Sequence, residues 1–156
     1  LILSDSHGAE GRLIRAIEEN MDARILVFLG DGERDFENAL AYFNIAPYGK
    51  DDSKIICQVC GNCDIYSREP VNLIASMRGI RVMITHGYDQ GVKGGPDRLC
   101  REAARRNCRI ALFGHTHSRH LSEQNGVILF NPGSVRAGSY GILTIEDGEA
   151  EFSWNS

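Results

Sequence analysis

Apolar residues along this chain come in short runs, and the stretches between them switch between helical spacing and turn residues. Leu1-Ile2-Leu3 reads as the end of a buried strand. Over residues 8–20 the apolar positions Leu13, Ile14 and Ile17 have helical spacing, and over 33–43 Phe36, Leu40 and Phe43 repeat it. Residues 25–29 are almost continuously apolar, as in a strand covered on both faces, and 55–60 read as another strand. Beyond Pro70 the pattern changes. Segments 71–77 and 80–85 predict two strands joined at Arg78-Gly79, and 96–107 predict a helix with Pro96 near its first turn. Segments 109–113, 127–130 and 139–145 predict further strands, and Asp147-Gly148 marks a hairpin into a last one at 150–154. No internal repeat or long linker interrupts the pattern. The reading is a single α/β domain over 1–156, βαβα at the front and β-rich at the back.

Composition narrows the function classes. The 156 residues correspond to one domain with room for one core. No apolar run approaches the ~18–20 residues that span a bilayer, so no membrane association is expected. With 17 Lys+Arg against 21 Asp+Glu, the formal charge of -4 argues against a dedicated nucleic-acid-binding surface, which needs clustered cations. Five cysteines, an odd number in a chain too long to need staples, point to a reduced cytoplasmic protein. The chain opens on Leu1 inside an apolar run with no signal-peptide pattern, so a few preceding residues are expected.

The chemistry is concentrated immediately after the apolar runs. Ser4-Asp5-Ser6-His7-Gly8, Gly30-Asp31-Gly32, Gly61-Asn62-Cys63-Asp64, Thr85-His86-Gly87 and Gly114-His115-Thr116-His117 stand at the carboxyl ends of five strand-like segments. That rim is where open α/β sheets bind ligands. Asp5 and His7 are two apart, as are His115 and His117, and in an extended segment such residues project to the same side. Asp5, His7, Asp31, Asn62, His86, His115 and His117 together offer seven oxygen or nitrogen donors, too many for one tetrahedral ion and about right for two. Mixed imidazole and carboxylate ligation suits Mn, Fe, Zn or Ni, and fits Ca or an iron–sulfur cluster poorly. Taken singly, an Asp-x-His, a Gly-Asp-Gly or a rim histidine reads as an ordinary turn or hydrogen-bonded group. All five together, at successive strand ends of one short domain, read as a metal centre.

These five motifs, in this order, resemble those of the calcineurin-like metallophosphoesterases. Asn131-Pro132-Gly133-Ser134 after the 127–130 strand is similar to the small single-domain, YfcE-type phosphodiesterase branch. The resemblance implies two mixed β-sheets packed as a sandwich flanked by helices, a four-layer α/β fold. It implies two divalent metal ions, Mn first, with Ni, Zn or Fe as alternatives. Asp5, His7, Asp31 and His117 would hold the first, and Asp31 would bridge to a second completed by Asn62, His86 and His115. It further implies hydrolysis of a small phosphodiester by in-line attack of a hydroxide bridging the two ions. Asn62 and His86 would belong to the catalytic set as well. A homo-oligomer, dimer or tetramer, is an expectation for a small domain of this kind.

One position departs from the family pattern. Many members carry His after the Asn, where it assists the leaving group, and here that residue is Cys63. A thiol is a poor replacement, and the adjacent Asp64 would need a raised pKa to act as the acid. Diesters with acidic leaving groups are therefore expected to react better than ordinary monoesters. Cys57-Gln-Val-Cys60-Gly-Asn-Cys63 also holds two overlapping C-x-x-C spacings, but with no second pair to complete a zinc site, Cys57 and Cys60 read as small buried hydrophobes. Arg34, Lys93, Arg119, Arg136 and the arginines of 101–109 read as solvated charges, and His120 as a surface histidine. Two rival functions share the fold: a non-catalytic scaffold like the retromer subunit, and a nuclease or nucleotide phosphatase with the same dimetal chemistry.

Overall fold

The computed structural model describes residues 1–45 and 54–155. Among them, strands β1 (Ile2–Leu3), β2 (Ile25–Phe28) and β3 (Ile55–Gln58) alternate with helices α1 (Glu10–Glu18) and α2 (Glu33–Tyr42). Strands β4 (Asn72–Met77) and β5 (Ile80–Thr85) precede α3 (Asp97–Arg105). Then come β6 (Ile110–Leu112), β7 (Arg119–Gln124), β8 (Val127–Pro132), β9 (Gly141–Glu146) and β10 (Glu149–Trp154). They form two five-stranded mixed sheets, ordered β10-β9-β1-β2-β3 and β4-β5-β6-β8-β7.

The near-continuous apolar runs arise because both faces of the central strands are covered. In β2 and the residue after it, Val27 and Leu29 enter the core between the sheets, whereas Leu26 and Phe28 face the helices. In β5, Val82 and Ile84 point inward and Met83 outward, toward α3. The helices supply the matching stripes: Leu13, Ala16 and Ile17 in α1, Phe36, Ala39 and Leu40 in α2, Leu99, Cys100 and Ala103 in α3. Each large side chain so buried stabilises the fold by about 1.5–3 kcal/mol. The stacked rings of Phe28 and Phe36, with centroids 4.7 Å apart, join α2 to its sheet. On the inner face, Phe130 packs against Phe152 and Trp154 at 4.9 and 5.2 Å, which ties edge strand β10 across the sandwich.

One strand has no counterpart in the hydrophobic pattern. β7 runs antiparallel to β8 through a turn at Asn125-Gly126, with φ of 52° and 75°. Its residues are mostly polar and none is fully buried, and Leu121 is itself exposed, so hydrophobic periodicity carries no trace of it. The Asn-Gly dipeptide was the available signal. Among the described residues no helix is long and apolar enough to cross a membrane.

Candidate metal centre

The strands end short of the donors. β1 stops at Leu3 and β6 at Leu112, so Asp5, His7, His115 and His117 lie in the loops beyond them. All four, with Asp31, adopt left-handed backbone: φ is 54° at Asp5, 42° at His7, 60° at Asp31, 65° at His115 and 58° at His117. The expectation that i and i+2 align because the chain is extended is therefore corrected: sharp turns bring the pairs inward. Non-glycine residues in this region carry strain of order 1–3 kcal/mol each, and such strain concentrates at functional sites. Backbone bonds offset it here, from Asp5 N–H to the Gly30 carbonyl at 3.0 Å and from His7 N–H to the Asp31 carbonyl at 3.2 Å.

Three groups of donors result among the described residues, each with ligating atoms within 4.8 Å of one another: Asp5, His7 and His117; Asp31, His86 and His115; and, between them, His7, Asp31 and the Cys63 thiol. Asp31 stands between the first two, its Oδ2 being 3.8 Å from His7 Nε2 and 3.3 Å from His86 Nε2. Its Oδ1 accepts the Cys63 backbone N–H at 2.7 Å. Burial alone would raise the Asp31 pKa, but hydrogen bonds from His86 and Cys63 outweigh it and hold the carboxyl well below the usual range. His86 Nδ1 lies 2.8 Å from the Leu29 carbonyl, which only accepts, so Nδ1 carries a proton and Nε2, the nitrogen that bonds Asp31, is the one that would give up its proton to bind a cation. Asn62 Oδ1 is 3.1 Å from that Nε2.

These distances test whether a cation fits. Asp5 Oδ1 is buried with no hydrogen-bond donor among the described residues, while His117 Nε2 lies 3.1 Å and His7 Nε2 3.7 Å away. The two imidazole Nε2 atoms of His7 and His117 face each other at 3.2 Å. A buried carboxylate oxygen without a hydrogen-bond partner and imidazole nitrogens that face it and each other therefore leave an unfilled acceptor-rich position. Divalent cations satisfy that arrangement.

The two candidates for the general acid are Cys63, which borders the two imidazole-rich groups, and Asp64, which lies in none of the three. Cys63 is exposed, its Sγ 3.4 Å from Asn62 Nδ2, and burial together with the Asp31 carboxylate raises its pKa, which keeps it a thiol. Asp64 accepts four backbone N–H groups: Asp31 and Gly61 on Oδ2, each at 2.8 Å, and Gly32 and Glu33 on Oδ1 at 2.8 and 3.0 Å. Burial acts to lower the His115 pKa, helped by His86 and Lys93. The Tyr88 ring stands edge-on to His115 at 5.3 Å.

Supporting residues that sequence reasoning did not single out include Ser4, whose hydroxyl donates to Asp5 Oδ2 at 2.5 Å. Ser134 Oγ donates to the Asp5 carbonyl at 2.8 Å, and Asn131 Nδ2 donates to the Gly114 carbonyl at 2.9 Å. The Asn-Pro-Gly-Ser segment thus grips the loops after β1 and β6. Gly114 is needed for close approach: a Cβ there would overlap Ser4 Oγ and lie 2.9 Å from Asp5 Oδ2. Gly114→Ala is expected to cost about 1–3 kcal/mol by overpacking, read as a lower midpoint in urea unfolding. An unchanged midpoint would show that the loop relaxes freely.

Two residues read as surface groups make contacts that the sequence did not announce, Arg119 while remaining exposed. Arg119 donates to Ser139 Oγ at 2.8 Å and to Asn155 Oδ1 at 3.1 Å, and its guanidinium sits 5.8 Å from the Trp154 ring, so it braces the chain's end. His120 is half-buried, bonded to Ser122 Oγ at 2.7 Å and edge-on to Phe113, and burial lowers its pKa. Cys57 belongs to the inter-sheet core, but Cys60 is only half-buried.

Beside the donors opens a cleft of about 630 Å³ lined by His7, Glu33, Arg34, Cys63 and Tyr66. A hollow of about 820 Å³, between α1 and the β9–β10 side of the sheet, carries none of the donors.

The chain belongs to the calcineurin-like phosphoesterase superfamily, whose domain model matches residues 1–148. It is 28% identical over 156 residues to the probable metallophosphoesterase YsnB of Bacillus subtilis, covering 96% of this chain and 86% of that protein. It is 28% identical over 155 residues to the phosphodiesterase MJ0936 of Methanocaldococcus jannaschii, covering 92% and 88%. A predicted phosphoesterase of Streptococcus pneumoniae has the same fold at TM-score 0.76 and 21% identity, over 98% of this chain and 86% of that one. So does the zinc complex of Vps29 from Entamoeba histolytica, at 0.72 and 16%, over 99% and 97%. The two five-stranded sheets with their three helices are the metallophosphoesterase sandwich, and the chain is a phosphoesterase-family protein with a candidate divalent-metal site.

Proposed function

We propose that the protein is a metal-dependent phosphodiesterase acting on small phosphodiesters. The observation that carries this reading is the pair of adjoining donor groups, His7 and His117 about a buried Asp5 oxygen that has no donor among the described residues, and His86, His115 and the nearby Asn62 amide about Asp31. Asp5, His7, Asp31 and His117 would hold one divalent ion, and Asp31, Asn62, His86 and His115 the other. When bound, the pair, Mn in the first place, supplies Lewis acidity toward the phosphoryl oxygens and lowers the pKa of an attacking water for in-line displacement. The protein's part is to fix the donors. Leu29 sets the His86 tautomer, the Cys63 N–H orients Asp31, and Asn62 contributes an oxygen without adding charge. The unpaired cysteines fit a reducing, cytoplasmic setting. A scaffold reading draws support from the fold shared with Vps29, but fold alone does not select between the two, and the full donor set favours catalysis.

The test is hydrolysis of bis(p-nitrophenyl) phosphate with Mn, Ni, Zn or Mg, beside the metal-free protein and the His86→Ala variant. Turnover is expected only with metal and only with His86 in place. No turnover with any metal transfers the weight to the scaffold. Because the cleft offers a thiol where a stronger acid would serve, a simple alkyl phosphate is expected to react at least about 10²-fold more slowly than the aryl diester, the lower end of what general acid catalysis contributes. Comparable rates across the pH profile would show that another group protonates the leaving oxygen.

A further inference from the structure

The cleft beside the donors has an unusual wall. Tyr66 lines it together with His7 and Asp31, and its side chain is 97% exposed. Its neighbour Ile65 is 76% exposed. A tyrosine so placed gains no packing, yet its backbone sits at φ 67°, left-handed geometry that a bulky residue adopts only under constraint. The constraint is visible. Ile65 N–H donates to the Cys63 carbonyl at 3.0 Å, Ser67 N–H to the Asp64 carbonyl at 3.3 Å, and the Asp64 carboxylate fastens the segment to the loop after β2. The backbone that carries the ring is therefore anchored at the edge of the cleft beside the candidate metal centre, and the ring itself stands in solvent. Charge defines the rest of the wall: among the described residues, Glu33, Asp35 and Glu37 line the cleft with Arg34 as the one Lys or Arg beside them.

We infer that Tyr66 is the docking platform for a planar, uncharged ester substituent of the phosphodiester, the acidic wall turning away substituents that carry a further phosphate. This rests on the phosphodiesterase reading and adds the substrate class to it: aryl or nucleoside diesters rather than nucleoside polyphosphates or nucleic-acid strands. The metal pair attracts one phosphate. A second one, displaced along the cleft, faces the carboxylates of Glu33, Asp35 and Glu37, whose repulsion is screened over ~8–10 Å at ordinary salt.

The experiment compares the Mn-loaded full chain with its Tyr66→Ala and Tyr66→Phe variants on two diesters of acidic alcohols. Bis(p-nitrophenyl) phosphate has planar arms; bis(2,2,2-trifluoroethyl) phosphate, followed by fluorine NMR, has none. Tyr66→Ala is expected to raise KM about 2–10-fold for the aryl diester, the range of one aromatic pair, with little change in kcat. Tyr66→Phe should restore it, and neither variant should alter the trifluoroethyl reaction. Calorimetry gives a readout without turnover: diphenylphosphinate should bind more weakly to Tyr66→Ala by the same factor, and dimethylphosphinate equally to all three. A 3′-phosphate added to thymidine 5′-(p-nitrophenyl phosphate) should lower kcat/KM several-fold, less so at high salt. Equal losses on planar and non-planar diesters, or none on either, overturn the platform while leaving the phosphodiesterase intact. Absence of wild-type turnover on both diesters overturns the phosphodiesterase reading, and the platform with it.

Discussion

Asp31→Asn is expected to abolish both metal binding and turnover while leaving the metal-free fold intact. The substitution keeps an oxygen for the Cys63 N–H but turns the oxygen facing His7 and His86 into an NH₂ donor, so one change removes a lone pair from both donor groups at once. Loss of turnover should be at least about 10²–10³-fold, the cost of deleting one preorganised transition-state stabiliser. Binding is read separately. At 100 times Kd, Mn should stabilise the parent protein by about 2.7 kcal/mol, or about 5–10 °C in Tm for a chain of this length. That shift should vanish in Asp31→Asn, with melting in EDTA close to the parent's. A variant that kept the Mn-induced shift would remove Asp31 from the shared position.

The legible part of this structure is the part that repeats. Runs such as 25–29 and 80–85 are readable because both faces of the strand are covered over most of its length and nearly every residue is apolar, Arg81 being the exposed exception in β5. Leu13 and Ile17 are readable because a helix buries one stripe, in which Ala16 lies fully buried and Ile14 only half-buried. Arg119–Gln124 is not: its half-buried face carries His120, Ser122 and Gln124 while its one aliphatic residue, Leu121, is on the exposed face, so no hydrophobic period marks it, and its existence is decided by the β8 backbone it pairs with. The donors were legible as residue types at strand ends, but not in how they meet. Asp5 and His7 converge through left-handed turns, a conformation that no spacing rule encodes. His115 and His117 enter different groups although they are two apart, a division that the family resemblance implied and the spacing alone did not.

Least legible are residues whose function is a contact across the sequence. The Leu29 carbonyl that sets the His86 tautomer is 57 positions away, and Ser134 reaches Asp5 across 129. A backbone carbonyl has no signature in sequence at all. The Asn131-to-Ser134 segment could be recognised by resemblance, yet only the folded structure shows it acting as a fastener.

Asp64 brings this difference to a test, because two roles for it predict different failures. As a general acid it would lose little structure on conversion to Asn, and kcat would fall most for poor leaving groups. Its four bonds predict the reverse. Asp64→Asn leaves one oxygen for two N–H groups and sets an NH₂ against the other two donors, unfastening the loop after β3 from the N-terminus of α2. It also removes an anion from that helix end, where negative charge is favourable. Hydrogen bonds to charged groups contribute about 1.5–3 kcal/mol each, and with partial exposure the two lost bonds should cost roughly 3 kcal/mol in total. For a domain of this size that is a fall in Tm of about 6–12 °C, present in EDTA as well as with Mn. Any turnover left at low temperature should keep the parent's dependence on leaving group, since the reacting atoms lose no proton donor. Should Tm instead hold while only poor leaving groups suffer, Asp64 is an acid after all. The expected result is the other one, because a carboxylate whose lone pairs already serve four backbone donors has none free to carry a proton to the substrate.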